Sequence, residues 1–160
     1  MTSFKNPAAF AAFLSAKANE IGAAKIKALS KGATLVQADA KSRIGHYQND
    51  AGPFPAWDPL TPGTIQDKQR QGFGVPDPLL RTGQMRDSIV AKVDEDGFAV
   101  GSNDPIARYQ ELGTSGPNPA PDGYHVPPRP FLGPALYENR EEVVKIVAED
   151  LVGWLKDKNR

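Results

Sequence analysis

The sequence predicts an α+β domain, with long N-terminal and C-terminal helices packed on a small antiparallel sheet and Pro/Gly-rich loops between them. Three observations predict it. Apolar residues recur at helical spacing near both ends of the chain. An Asp96-Gly97 step separates two short apolar runs, the pattern of a β-hairpin. The 15 prolines are clustered, with four between Pro53 and Pro62 and seven between Pro117 and Pro134, which excludes long regular elements from the middle. At 160 residues the chain suffices for one core and is marginal for two. It reads as a single domain over 1–160: an N-terminal helix (1–47), a motif-bearing core (57–135) and a C-terminal helix (134–157).

Asn6-Pro7 starts the first helix, Asn as N-cap and Pro at the first helical position. The helix runs to about Tyr47. Phe10, Phe13, Leu14, Ile21, Ala24 and Ala28 share one face; Leu29, Ala33, Val36, Ala40, Ile44 and Tyr47 share another, about a quarter turn away at 100° per residue. Gly32 stands near the change. A core-facing helix is the simplest reading; otherwise the helix bends, or its halves face different neighbours, one of them another subunit. Residues 48–60 form a loop tied down by Phe54 and Trp57. Thr61-Pro62 opens a short, nearly all-polar helix to about Gln71, stopped by Gly72 and placed on the surface or against a partner.

A turn of helix capped by Thr82 follows, then strands Ile89 to Val93 and Phe98 to Gly101. Asp104-Pro105 caps a third short helix, Ile106 to Leu112, ended by Gly113. Thr114 to Tyr124, polar and rich in Pro and Gly, reads as an exposed, mobile loop. His125 to Pro130 is extended, because each residue before a proline is pushed out of the helical region. Gly133-Pro134 opens the last helix, to about Lys156. Leu136, Val143, Val147, Leu151 and Trp154 make its buried face, with Ile146 and Leu155 beside them.

Lys plus Arg and Asp plus Glu both number 19, so the chain has no net positive field for non-specific nucleic-acid binding. Neutrality also favours association. Without cysteine there is no disulfide framework, thiolate metal site or cysteine nucleophile. The N-terminus lacks a secretory pattern, and no apolar run approaches the roughly 20 residues that span a bilayer. The expectation is a soluble protein made in a cytoplasm, without a membrane partner.

No catalytic constellation emerges. Asp94, Glu95 and Asp96 lack the EF-hand spacing and read as a solvated turn. His46 and His125 have no second histidine three or four residues away. Ser88 and Ser102 lack a nucleophile elbow and a base; Ser102, Asn103 and Asp104 read as turn and cap residues. Lys68, Arg70, Arg81, Arg86 and Arg108 could form a nucleic-acid-binding face, but Asp67, Asp77 and Asp87 are interleaved with them. A hydrolase using the acids of 94–104 with a metal is the remaining enzymatic alternative. Residues 127–134 form a stiff strap that holds the last helix against the sheet, with Phe131 and Leu132 as apolar anchors. In a ring-forming protein the same strap could lie on the next subunit.

The ordered set Trp57-Asp58-Pro59-Leu60-Thr61-Pro62, Leu79 to Ile89, Val100-Gly101-Ser102-Asn103, Tyr109 to Thr114 and Pro128-Arg129-Pro130-Phe131-Leu132, following a long N-terminal helix, resembles the tail-completion or head–tail joining proteins of tailed bacteriophages. These are also called virion morphogenesis or minor tail proteins. The resemblance covers about half the chain. It implies a non-catalytic structural protein of the neck, without cofactors, that completes the tail and joins it to the head. It implies a homo-oligomeric ring, commonly six-fold, touching the head connector and the tail tube or terminator, with genomic DNA passing through its lumen without sequence-specific binding. Subunit and partner contacts then fall to Arg86, Tyr109, Glu111, Pro128, Arg129, Pro130, Phe131 and Leu132. The alternative is a nucleic-acid-binding module acting in phage assembly or packaging.

Overall fold

A computed structural model describes residues 4–114 and 125–158. Along the chain run α1 (Pro7–Arg43), α2 (Pro62–Arg70), α3 (Gln84–Asp87), β1 (Ile89–Val93), β2 (Phe98–Ser102), α4 (Pro105–Leu112) and α5 (Leu132–Lys158). The architecture is α+β: two long helices and a two-stranded antiparallel sheet, with the short helices filling one side. Residues 115–124, most of the expected loop, lie outside the described residues.

The expected caps form. The Asn6 side chain accepts from Ala9 N at 2.8 Å, Thr61 from Thr64 N at 3.3 Å and Asp104 from Ile106 N at 2.9 Å, each followed by proline at the first helical position. α3 differs: Gly83, at φ 86°, occupies the cap position, while the Thr82 hydroxyl accepts from Gln84 N. In the hairpin, Asp94 Oδ1 accepts from Asp96 N and Gly97 N at 2.9 and 3.0 Å, an Asx turn that fixes the pairing of Val93 with Phe98 and of Ile89 with Ser102.

α1 ends at Arg43, one turn before the expected Tyr47. Gly45 adopts φ 101° and donates its N–H to Pro78 O at 2.9 Å, so the chain leaves the helix there. Tyr47 is exposed instead of core-facing, and its hydroxyl accepts from Leu60 N.

α1 and α5 pack antiparallel. Glu138 pairs with Arg43, Asn139 donates to Asp39 at 2.7 Å, and Asp150 pairs with Lys31. Gly32 lies close against α5 and the hairpin: a Cβ there would stand 3.0 Å from Val143 and 3.6 Å from Phe98. The helix stays continuous through it. Val36, Ala40 and Ile44 of α1 join Trp57, Met85, Ile89, Ala107, Phe131, Ala135 and Val143 in one hydrophobic cluster.

Only the second half of α1 takes part in this core. Of the first stripe, Phe10, Phe13, Leu14 and Ile21 are exposed, Ala24 is half-buried and Ala28 is buried. On α5, Leu136 is exposed, contrary to expectation, because Ala135 and Asn139 occupy the positions against α1; Leu155, expected beside the buried face, is exposed as well. Val143 is buried, and Ile146, Val147, Leu151 and Trp154 are half-buried.

Candidate functional site

The proline segment is an intramolecular strap. Thr114 and Val126 clamp its start: Thr114 N donates to Val126 O at 3.0 Å, and Val126 N donates to the Thr114 hydroxyl at 2.6 Å. The strap then crosses the C-terminus of α4. Gly113, at φ 70°, makes the crossing possible, since a Cβ there would lie 3.0 Å from Val126 O and 3.1 Å from Pro128 Cδ. Arg129 N donates to Gln110 O, and its guanidinium donates to Asp58 O at 3.3 and 3.1 Å. Burial pulls the Arg129 guanidinium below its ordinary value, against opposing contributions from Tyr47 and Asp58. Trp57 Nε1 donates to Pro130 O at 2.9 Å, locking the preceding loop to the strap.

Glu111 completes the junction. One carboxylate oxygen accepts from the backbone N–H groups of Phe131 and Leu132 at 2.7 and 2.9 Å; the other accepts from Gly133 N at 2.8 Å. The start of α5 has no Ser, Thr, Asp or Asn of its own to cap it, and a carboxylate from α4 supplies both the acceptors and the negative charge that a helix N-terminus favours. Sequence spacing alone does not reveal this partner, twenty residues away; the missing local cap is the signal that could have.

Of the eight interface positions expected from the resemblance, Glu111, Arg129, Pro130 and Phe131 are thus used inside the fold. Phe131 is 0% exposed and belongs to the core. Leu132 packs against the same cluster while partly exposed. Pro128 is exposed, and Tyr109 and Arg86 are half-buried at the surface, with Arg86 Nε 3.2 Å from Asp87.

Beside the strap lies an open groove of about 610 Å³ between α2, the 79–85 segment, α4 and residues 125–129. Leu79, Leu80, Met85 and Ile106 give it apolar walls; Lys68, Arg81 and Arg129 give it positive charge. Lys68, expected on a basic surface, is buried. Its ammonium donates to the carbonyls of Pro76, Asp77 and Leu80 and closes the 76–80 loop onto α2. Burial lowers its pKa, partly offset by Asp77. Arg81 pairs with Asp67 at 2.6 Å, and hydrogen bonds from Arg81 and Gln71 hold that carboxyl below its ordinary value. Three of the five cations of the nucleic-acid reading are therefore engaged within the chain.

The serines serve turns. Ser88 Oγ donates to Met85 O at 2.6 Å, Ser102 Oγ lies 2.6 Å from Ser88 Oγ, and Ser102 Oγ accepts from Asp104 N. Arg43 joins Lys68 and Arg129 as a buried cation among the described residues. Burial opposes its charge, but the hydrogen bonds it donates to Asp39 and Glu138 outweigh that and raise its pKa. Among the described residues, no group of His, Asp or Glu side chains could hold a metal ion, and no helix is long and apolar enough to cross a membrane.

The arrangement is one of caps, clamps and exposed apolar helix faces. No curated protein and no solved structure matches the chain. Residues 10–152 match a known family across α1, the hairpin, the Glu111 junction, the strap and most of α5, and on that match the chain belongs to the phage virion morphogenesis family.

Proposed function

We propose that the protein is a structural part of the phage neck. It completes the tail and mediates head–tail joining as a homo-oligomeric ring, acting by stoichiometric assembly without turnover. The observation that carries this reading is the family match over 10–152, nearly the whole chain. The strap junction supports it: a domain whose polar groups are spent on holding a long helix pair in place suits a rigid assembly part. A closed ring needs two mutually complementary surfaces on each subunit, one for each neighbour, and the exposed faces of α1 and α5 are available for them. Its partners are other copies of itself and the neighbouring neck and tail proteins, with DNA passing through the lumen.

The reading predicts the phenotype of a phage lacking the gene. Electron micrographs of the lysate should show filled heads beside free tails, and the protein supplied in trans should restore joined particles. Normal virions in the absence of the protein would contradict the proposal.

A further inference from the structure

The hairpin carries a row of backbone hydrogen-bonding groups that the fold does not use. Asp94 N donates to Gly97 O at 3.0 Å, which fixes the alternation of the ladder. Lys92 with Ala99 and Val90 with Gly101 are then the pairs that bond across the hairpin. The N–H and C=O groups of Ile89, Ala91 and Val93 on β1, and of Phe98, Val100 and Ser102 on β2, point outward.

The two edges differ. On β1, the Gln37 side chain of α1 donates to Ile89 O at 2.8 Å, and Lys92 puts a charge in the strand. On β2, no group among the described residues bonds to the outward row. β2 reads Phe98-Ala99-Val100-Gly101-Ser102, without charge or proline, and its one-to-one register has no bulge. Charges, prolines and bulges are what ordinarily keep a sheet edge from accepting another strand. α1 packs over one face of the hairpin, on β1 more than on β2, and Val90, Lys92 and Ala99 of the other face are exposed.

The outward row of β2 is complementary to itself. Turned end for end, a second β2 pairs Val100 with Val100 of the second copy, Phe98 with Ser102 and Ser102 with Phe98, so each outward N–H meets an outward carbonyl. Ala99 and Gly101, both small, then meet on the open face. Two features favour this pairing over the alternatives. Adding β2 to β1 of a second copy would run both hairpins the same way and set their exposed Asp94-Glu95-Asp96 turns side by side. It would also compete with Gln37 for Ile89 O, and β1 against β1 would meet that obstacle on both sides. Two-fold pairing of β2 leaves Gln37 in place and sends the acidic turns to opposite ends of a four-stranded sheet.

We infer that two copies of the chain pair edge to edge through β2, about a two-fold axis at Val100. The contact is isologous, one patch used by both copies. It goes beyond the joining role and does not rest on it. A five-residue strand on each side makes less than the roughly 800 Å² per partner of a standard interface, so the pair dissociates on dilution.

Because the chain has no cysteine, introduced thiols report on the register. Ala99 faces Gly101 of the second copy as a non-hydrogen-bonded pair, with Cα atoms about 4.5 Å apart, inside disulfide reach. The two copies of Ala99 lie diagonally, about 7–8 Å apart, beyond it. A Cβ at Gly101 meets nothing within 4 Å, so a cysteine fits there. Full-length Ala99→Cys and Gly101→Cys proteins, mixed at high concentration under air oxidation, should form a disulfide-linked dimer about tenfold or more faster than either alone. In the unsubstituted chain, amide exchange at Phe98, Val100 and Ser102 should slow by about tenfold as concentration rises, while Ala99 and Gly101, already bonded to β1, change little.

Cross-linking of Ala99→Cys to Lys92→Cys instead would show hairpins adding head to tail and overturn the inference. Slowed exchange without the 99–101 cross-link would place the edge in another register and overturn it too. So would exchange that stays fast at every concentration, or that slows only when purified tails are added, which would make the occupant a strand of another protein. A dimer of this register from a protein whose loss leaves virions normal would uphold the contact and overturn the joining role.

Discussion

Phe131 and Glu111 hold the same junction by different physics. The Phe131 ring lies in the core cluster with no exposed surface, so Phe131→Ala leaves a cavity as well as losing transfer energy. The substitution should cost about 3–5 kcal/mol in urea unfolding; a loss under about 1 kcal/mol would mean the ring is not packed as described. Glu111→Gln keeps the size of the side chain but replaces an acceptor oxygen with a donor facing a backbone N–H. It should cost about 1.5–3 kcal/mol, with amide exchange quickening first at residues 131–133. Unchanged exchange there would remove the carboxylate cap. A third residue reports on pH. The Asp67 carboxyl is held below its ordinary value by Arg81, so its contribution is present above the unfolded carboxylate range and fades as pH falls through the lowered folded value. Asp67→Asn should flatten that part of the acid stability profile and leave neutral pH little changed, because the pair is solvent-exposed.

Among elements, the α1–α5 pair depends on close approach at Gly32. Gly32→Val sets a branched side chain where even a Cβ would be 3.0 Å from Val143. The overpacking should cost about 1–3 kcal/mol and lower the melting temperature while α1 remains helical. A neutral outcome would show that the helices separate freely. Elements whose boundaries depend on local chemistry were legible in the sequence: Asn6-Pro7, Thr61-Pro62 and Asp104-Pro105 start helices, and Asp96-Gly97 turns the hairpin, because each carries its own acceptor or fixed backbone angle. The C-terminus of α1 was misplaced because Ile44 and Tyr47 continue the apolar period, while Gly45 takes a positive φ and bonds to the distant Pro78. Leu136 was placed inside because hydropathy ranks it above Ala135 and Asn139, yet the small and hydrogen-bonding residues are the ones that let α5 approach α1.

At the scale of the whole molecule, the change of stripe along α1 was readable as two faces, and the structure gives their large residues different surroundings: Val36 and Ile44 in the core, Phe10, Phe13, Leu14 and Ile21 exposed. The junction residues were visible as a motif, but their division into internal cap, clamp and surface was not. That division depends on contacts such as Glu111 to Phe131 and Arg129 to Asp58, which span many positions and leave no periodic trace. Lys68 shows the same limit from the other side: a cation in a polar helix reads as surface until the three carbonyls around it are known. Membership of the phage virion morphogenesis family and an α+β frame with an exposed apolar stripe on the first half of α1 fit the proposed part that finishes its packing on other subunits.

The most direct test of that account is cryo-electron microscopy of purified virions. The account predicts a closed ring at the neck, between tail tube and head connector, into whose density the α1–α5 pair and the strap junction fit, repeated once per subunit. A neck fully explained by other chains, with this protein absent from the particle, would contradict it.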